Sequence, residues 1–156
     1  MSDEQNKKTL YELYRLLNES EIPLFKKKAV LRSLFIGESW TWVVTEISRE
    51  ALKQLKADGF KKLPHKFDRH HPIPFKKTAE QMLVTSTLPY KAWCRIIKKN
   101  EKVYLITKDE HRKWNKEQPE MIPIAKQGLF NNGGRTVGFS YGEDEIEYLK
   151  MLDVDT

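Results

Sequence analysis

The chain has 156 residues, of which 39% are hydrophobic and 32% charged, and its formal net charge is +6 at pH 7. This composition is typical of one folded domain and excludes disordered and fibrous classes. No run approaches the roughly 20 apolar residues of a membrane span, and the opening MSDEQNKKTL lacks the apolar stretch of a signal peptide. The single cysteine, Cys94, excludes a disulfide within the chain and a cysteine-rich zinc finger. We therefore expect no membrane partner and a cytoplasmic location, or a host cytoplasm if a phage encodes the protein.

The first sixty residues predict a mainly helical scaffold. Thr9 and Glu12 form a capping box for a first helix, and "ESEIPLFKKKAVLRSLFIG" predicts a second helix that Gly37 ends. "SWTWVVTEI" has the aromatic and β-branched content of a strand. "SREALKQLKADGF" predicts a short helix capped by Ser48 and ended by Gly59. We assign residues 1–62 to this scaffold and expect no catalytic or binding residues in it.

Residues 63–118 predict a strand, an inserted helical part, a second strand and a helix. "HKFDRHHPIPF" is typical of a short strand ended by prolines. "KKTAEQMLVT" predicts a helical turn, and "LPYKAWCRIIKKN" predicts a helix. "KVYLI" predicts the second strand, and "TKDEHRKWNKEQP" predicts a helix with a Thr107–Glu110 capping box and an end at Pro119. In residues 119–156, "NNGG" indicates a turn, "RTVGFSY" a short strand, and the segment from about Glu143 to Leu152 a helix.

Charge is distributed unevenly along the chain. Residues 53–118 hold 17 Lys or Arg against 7 Asp or Glu, whereas residues 141–156 hold one Lys against six acidic residues. A basic middle segment suits a polyanion such as nucleic acid, although lysines are often merely solvated. This charge distribution also fits two functions that involve no catalysis. One is a DNA- or RNA-binding accessory protein with structural histidines, and the other is an interaction protein whose acidic C-terminal part docks on a partner or on its own basic face.

Three of the four histidines lie where the two predicted strands and the last helix of residues 63–118 meet. His70 and His71 end the first strand, and His111 lies early in the helix after the second strand. His111 and Asn115 are four residues apart and therefore share one face of the predicted helix. A divalent cation held there would take His70, His111 and Asn115 as ligands. Imidazole suits Zn, Ni or Mn, and an amide oxygen tolerates Mg or Mn.

We expect the second histidine of the pair to act as a general base and not as a metal ligand. His71 would point away from His70, as neighbours on a strand do, and it would take a proton from water. A cation that offsets phosphate charge, together with such a base, is what phosphodiester hydrolysis requires. A slip of one residue in strand register would reverse which side chains face the site. Asp68 therefore remains an alternative to His70 as the first ligand.

The segments "DRHHPIP" and "VYLITKDEHRKWN" resemble the HNH, or ββα-metal, nucleases. In that family a strand ends in an acidic-His or His-His pair, often followed by Pro. A second strand then leads into a helix that carries His and, four residues on, His or Asn. The resemblance covers roughly residues 67–118. It implies that His70 and His111 are metal ligands and that His71 is the general base.

The same resemblance implies the remaining site residues. Asn115 takes the last motif position, in the so-called HNN form, and Asn100 is the nearest counterpart of the middle asparagine that braces the base. The residues expected to contact the nucleic acid are Arg69, Lys76, Lys77, Lys108, Arg112 and Lys113.

The prediction as a whole is a single α+β domain over residues 1–156. A helical N-terminal part would surround a small ββα-metal motif, with a short strand and a helix at the C-terminus. The expected function is that of a metal-dependent endonuclease of HNH type that uses Mg, Mn, Ni or Zn. It would hydrolyse phosphodiester bonds in DNA. The resemblance to the HNH nucleases implies that cleavage leaves 5′ phosphates and that a phage or mobile element encodes the protein. Double-strand cutting would need a homodimer or two passes.

Overall fold

The structure, a computed structural model, describes residues 1–60, 66–126, 129–130, 142–152 and 154. It is a mixed α+β structure. Among the described residues, no helix combines the length and apolar character needed to cross a membrane. The elements in chain order are α1 (Asp3–Glu19), α2 (Leu24–Phe35), β1 (Val43–Ser48), α3 (Arg49–Ala57), β2 (Phe67–His70), α4 (Phe75–Met82), α5 (Tyr90–Asn100), β3 (Lys102–Thr107), α6 (Lys108–Lys113), β4 (Met121–Pro123) and α7 (Glu143–Met151).

The chain divides into two compact units, each with its own apolar core. The first unit comprises Met1–Thr41 and His71–Lys102, and the second comprises Trp42–His70 and Val103–Thr156. The first unit is therefore made of helices, and the second contains the sheet. The single domain predicted over residues 1–156 stays a prediction.

The first unit packs its helices around aromatic side chains. Trp93 of α5 is fully buried and stacks on Tyr14 of α1 with 6.0 Å between ring centroids. The predicted N-terminal capping box of α1 is wrong. Ser2 caps the helix by accepting from the backbone N–H of Gln5, and Thr9 lies inside it, donating to the Gln5 carbonyl. The second helix agrees with its prediction, and Gly37 beyond its end has the left-handed φ of +82° that favours glycine.

The sheet of the second unit has the strand order β2-β3-β1-β4 among the described residues. β2 runs antiparallel to β3, and β1 runs antiparallel to β4. The sequence did not predict β4, whose three residues are too few to give an alternating pattern. The order β2, β3, α6 matches the predicted sequence of strand, strand and helix. The predicted insertion between the strands consists of α4 and α5.

Two helices of the second unit begin at caps that share one carboxylate. Ser48 caps α3 by accepting from the backbone N–H of Ala51, and Thr107 caps α6 by accepting from that of Glu110. Glu110 closes the predicted capping box on the Thr107 N–H at 2.9 Å. Its Oε2 also accepts from the Ser48 hydroxyl at 2.6 Å. The starts of α3 and α6 are therefore tied together.

The C-terminal segment is described only in part. Helix α7 (Glu143–Met151) confirms the predicted terminal helix, and Leu149 is fully buried in the core of the second unit. The turn "NNGG" and the strand "RTVGFSY" lie outside the described residues.

Candidate functional site

Strand β2 separates its side chains into an inner and an outer set. Phe67 and Arg69 are buried, whereas Asp68 and His70 are partly exposed. The register against β3 pairs Asp68 with Ile106 and His70 with Tyr104. Because alternate residues of a strand share a face, Asp68 and His70 project to the same side of the sheet. Because both residues face the same side, the choice between Asp68 and His70 as the first ligand stays a prediction.

Helix α6 brings His111 to the outer face of β2. His111 Nδ1 lies 2.9 Å from Asp68 Oδ2, a hydrogen bond between residues 43 positions apart in the chain. The rings of His111 and His70 are 5.2 Å apart between centroids. One carboxylate and two imidazoles thus meet at the junction of β2 and α6.

An aromatic side chain covers one side of His70. The His70 ring lies 4.0 Å from the ring of Trp114, and Tyr104 is 6.0 Å from Trp114. Burial, and secondly the nearby His111, lowers the pKa of His70 below its ordinary value. The lowered pKa favours the uncharged imidazole, which is the form that binds metal ions.

A cleft of about 800 Å³ opens beside the Asp68–His111 pair. Three cationic side chains, Lys66, Lys108 and Arg112, line it together with Asp68 and Asp109. Lys66 and Lys108 are held next to each other because the Lys108 N–H donates to the Lys66 carbonyl at 3.0 Å. Arg112 pairs with Asp109 and Lys66 with Asp58, both at the surface, where such pairs are weak and exchange readily. The cleft can therefore offer its cations to an anionic ligand.

Arg69 lies inside the second unit, not at the surface position that phosphate binding would need. Its side chain is buried, and its guanidinium donates to the carbonyls of Trp42 at 3.3 Å and Phe130 at 3.2 Å. Burial lowers its pKa to about 10. The physical reason is strand alternation, which turns Arg69 away from Asp68 and His70. Lys108 and Arg112 are exposed, and their role as phosphate contacts stays a prediction.

The helix that carries His111 is shorter than predicted. It ends at Lys113 and not near Pro119, so Asn115 lies in the turn after the helix and not on its face. Both Asn115 and Lys113 are exposed. Trp114 is the C-cap residue of α6, and its ring packs against His70. The roles of Asn115 as a ligand and Lys113 as a phosphate contact stay predictions.

The other predicted site residues belong to the first unit. His71 follows His70 directly in the chain and is partly exposed. Lys76 and Lys77 lie exposed in the first turn of α4. Asn100 is buried at the end of α5, where its Nδ2 donates to Thr78 Oγ1 at 3.0 Å and to Gln81 Oε1 at 2.8 Å. Asn100 therefore ties α5 to α4, and its predicted role of bracing a base stays a prediction.

The donor set suits a divalent cation by its chemistry. Asp68 supplies carboxylate oxygen, and His70 and His111 supply imidazole nitrogen, a combination that favours transition metals such as Zn, Ni or Mn. Within the ranges that the structure describes, no three His, Cys, Asp or Glu side chains are placed as a ready metal cage. His70 and His111, with Asp68 beside them, are the residues that could hold a cation here.

Three contacts of the site were missed by sequence reasoning. Lys66 was not singled out, Trp114 was given no role in the site, and Asp68 was weighed only as a ligand. The alternation of "FDRH" could have placed Asp68 beside His70, because residues two apart share a strand face. Nothing in the local sequence indicates that Trp114 packs against His70.

No family model, curated protein or solved structure matches this chain.

Proposed function

We propose that this protein is a divalent-metal-dependent endonuclease of HNH type that hydrolyses phosphodiester bonds in DNA. One observation supports the proposal most. Asp68, His70 and His111 converge from a strand and a helix beside a cleft that holds three cationic side chains. Imidazole and carboxylate groups are ligands for divalent cations, and cationic side chains hold phosphates. A metal-dependent phosphodiesterase needs both at one place.

The order of elements supports the same proposal. An antiparallel strand pair, β2 and β3, leads into α6, and the His-His pair stands at the end of β2. This order is the one expected from the resemblance to the HNH nucleases. The capping box of Thr107 and Glu110 sets where α6 begins and hence where His111 stands.

In this proposal His70 and His111 bind the cation, and His71 is the general base. A bound divalent cation supplies positive charge against the phosphate and the departing 3′ oxygen. His71 takes the proton of the attacking water while the water oxygen bonds to phosphorus. The bond between phosphorus and the 3′ oxygen breaks, and that oxygen takes a proton from solvent. The products carry a 5′ phosphate and a 3′ hydroxyl.

The lysines and arginine of the cleft position the DNA. Lys108 and Arg112 are exposed beside His111, and Lys66 adjoins Lys108. Contacts to phosphates neighbouring the scissile one fix the register of the duplex without reading its sequence. The proposal therefore includes DNA affinity that falls steeply with salt.

Metal-dependent stabilisation separates this proposal from the two interpretations without catalysis. A cation at 100 times its dissociation constant stabilises the folded protein by about 2.7 kcal/mol. Thermal unfolding with Mg, Mn, Ni or Zn should show this gain in the wild type and lose it in His70→Ala and His111→Ala. His65→Ala is the matched control, because the fourth histidine has no role in the proposal. Equal stabilisation of all four proteins, or none in the wild type, would count against the metal site.

Product chemistry tests hydrolysis itself. A labelled DNA duplex incubated with protein and metal should give fragments that DNA ligase can rejoin, because ligation needs a 5′ phosphate and a 3′ hydroxyl. EDTA should abolish the products. DNA that is retarded on a gel but never cut, with any of the four metals, would favour the non-catalytic binding protein.

A further inference from the structure

The hydrogen bond between Asp68 and His111 links the strand to the helix at the candidate site. It joins Oδ2 to Nδ1 at 2.9 Å, and the two side chains are 23% and 43% exposed. The bond therefore lies at the edge of the cleft, where the His111 side chain is partly open to solvent.

The chemistry of the two groups determines which ring nitrogen carries the hydrogen. A carboxylate only accepts hydrogen bonds, so His111 must donate from Nδ1. A neutral imidazole has one N–H, so Nε2 is then the nitrogen with the lone pair. A carboxylate in this position also fixes the ring orientation and raises its basicity as a ligand.

Both partners stand on fixed elements. Asp68 lies between Phe67 and Arg69, which are buried on the other face of β2. His111 follows Glu110, whose carboxylate binds the Thr107 N–H and the Ser48 hydroxyl. The hydrogen bond therefore connects two rigid supports, the arrangement that holds a functional side chain in a single orientation.

We propose that Asp68 is a positioning residue that holds His111 in the Nδ1–H tautomer, so that Nε2 is the nitrogen presented to a divalent cation. The inference rests on the proposed function for the cation, and it assigns Asp68 to His111 and not to the metal. His70 is then the ligand that β2 supplies.

The tautomer can be measured without metal or DNA. Nitrogen NMR at mildly alkaline pH, where an ordinary imidazole is neutral, distinguishes a protonated ring nitrogen from an unprotonated one. We expect His111 of the wild type to carry its hydrogen on Nδ1. Asp68→Ala should move hydrogen to Nε2, and Asp68→Asn, which keeps an acceptor oxygen, should retain much of the wild-type tautomer. Asp109→Asn is the matched control, because it removes the same charge from the same cleft without a bond to His111.

Metal affinity gives the second readout. Loss of such a supporting carboxylate weakens metal binding by about 10- to 100-fold. Calorimetric titration with Zn or Ni should show this loss in Asp68→Ala, a smaller loss in Asp68→Asn, and affinity within about twofold of wild type in Asp109→Asn. Circular dichroism spectra that superimpose on the wild type verify that each variant is folded.

Other outcomes would contradict either the role of Asp68 or the proposed function. A His111 tautomer that is the same in wild type and Asp68→Ala overturns the inference, and if metal affinity is nevertheless lost, Asp68 is itself a ligand. A wild type that binds no divalent cation also overturns it. A wild type that shows the expected tautomer and affinities but never cuts DNA leaves the inference standing and removes the proposed function.

Discussion

Replacement of Arg69 by Met should destabilise the second unit markedly. The substitution keeps much of the aliphatic volume and removes the donors to the carbonyls of Trp42 and Phe130. Trp42 and Phe130 have left-handed φ angles of 55° and 58°. Residues other than glycine adopt such angles at a cost of about 1 to 3 kcal/mol. The guanidinium therefore anchors two strained backbone positions.

The magnitude follows from opposing terms. A hydrogen bond from a charged donor contributes about 1.5 to 3 kcal/mol, and two are lost. Desolvation lowers the pKa of the buried Arg69 guanidinium to about 10. Removal of this poorly solvated charge offsets part of the loss. We expect Arg69→Met to lower the free energy of unfolding by about 2 to 4 kcal/mol.

Urea unfolding followed by circular dichroism measures the effect as a lower midpoint at unchanged slope. Arg112→Met is the control, because Arg112 is exposed and forms only a surface pair, so its loss should stay within about 0.5 kcal/mol. Equal urea midpoints for the two variants would show that the buried Arg69 guanidinium does not stabilise the second unit. The buried position also predicts that Arg69→Met, when folded, keeps DNA affinity and that Arg112→Met loses some.

Three further predictions concern His70, Asn100 and Lys108. The His70 ring should titrate below the ordinary imidazole value of about 6.5 in NMR, and His111→Ala should raise its midpoint; an unshifted ring would contradict the packing. The pKa of His70 is lower in the folded protein than in the unfolded chain. The free energy of unfolding should therefore be highest above the ordinary imidazole pKa of about 6.5. It should fall as the pH drops from that value toward the pKa of the folded protein. Asn100→Ala should lower the free energy of unfolding by about 1 to 3 kcal/mol in urea, since a buried hydrogen bond to Thr78 and a partly buried one to Gln81 are lost; an unchanged midpoint would argue against them. Lys108→Ala should reduce the slope of log affinity for DNA against log salt by about 1, whereas the exposed Lys53→Ala, outside the cleft, should leave it unchanged; equal slopes would remove the cleft from the interface.

The sequence predicts those helix boundaries that depend on a local capping residue. Ser48 and Thr107 each precede a helix, and their hydroxyls accept from the N–H three residues on. The start of α1 was predicted wrongly because two capping patterns compete within ten residues, and the one at Ser2 prevails. The end of α6 was misplaced because the packing of Trp114 on His70 is a tertiary contact that no local signal shows.

The candidate site was predictable in its histidines but not in its supports. Strand alternation already separates Arg69 from Asp68 and His70. The carbonyls that receive the Arg69 guanidinium belong to residues 27 and 61 positions away, so its burial could not be predicted from the sequence. The pairing of Asp68 with His111 depends on how α6 returns over β2, which the order of elements alone does not define.

The proposed function requires that the protein cuts DNA with a divalent cation and His71. The most direct test incubates supercoiled plasmid with wild type or His71→Ala, with Mg, Mn, Ni or Zn and with EDTA. We expect nicked or linear product from the wild type only in the presence of metal. We also expect a large loss of rate in His71→Ala, while the metal-dependent stabilisation of this variant persists. Cleavage by His71→Ala at the wild-type rate would contradict the assignment of the base, and no cleavage by the wild type with any metal would contradict the nuclease itself.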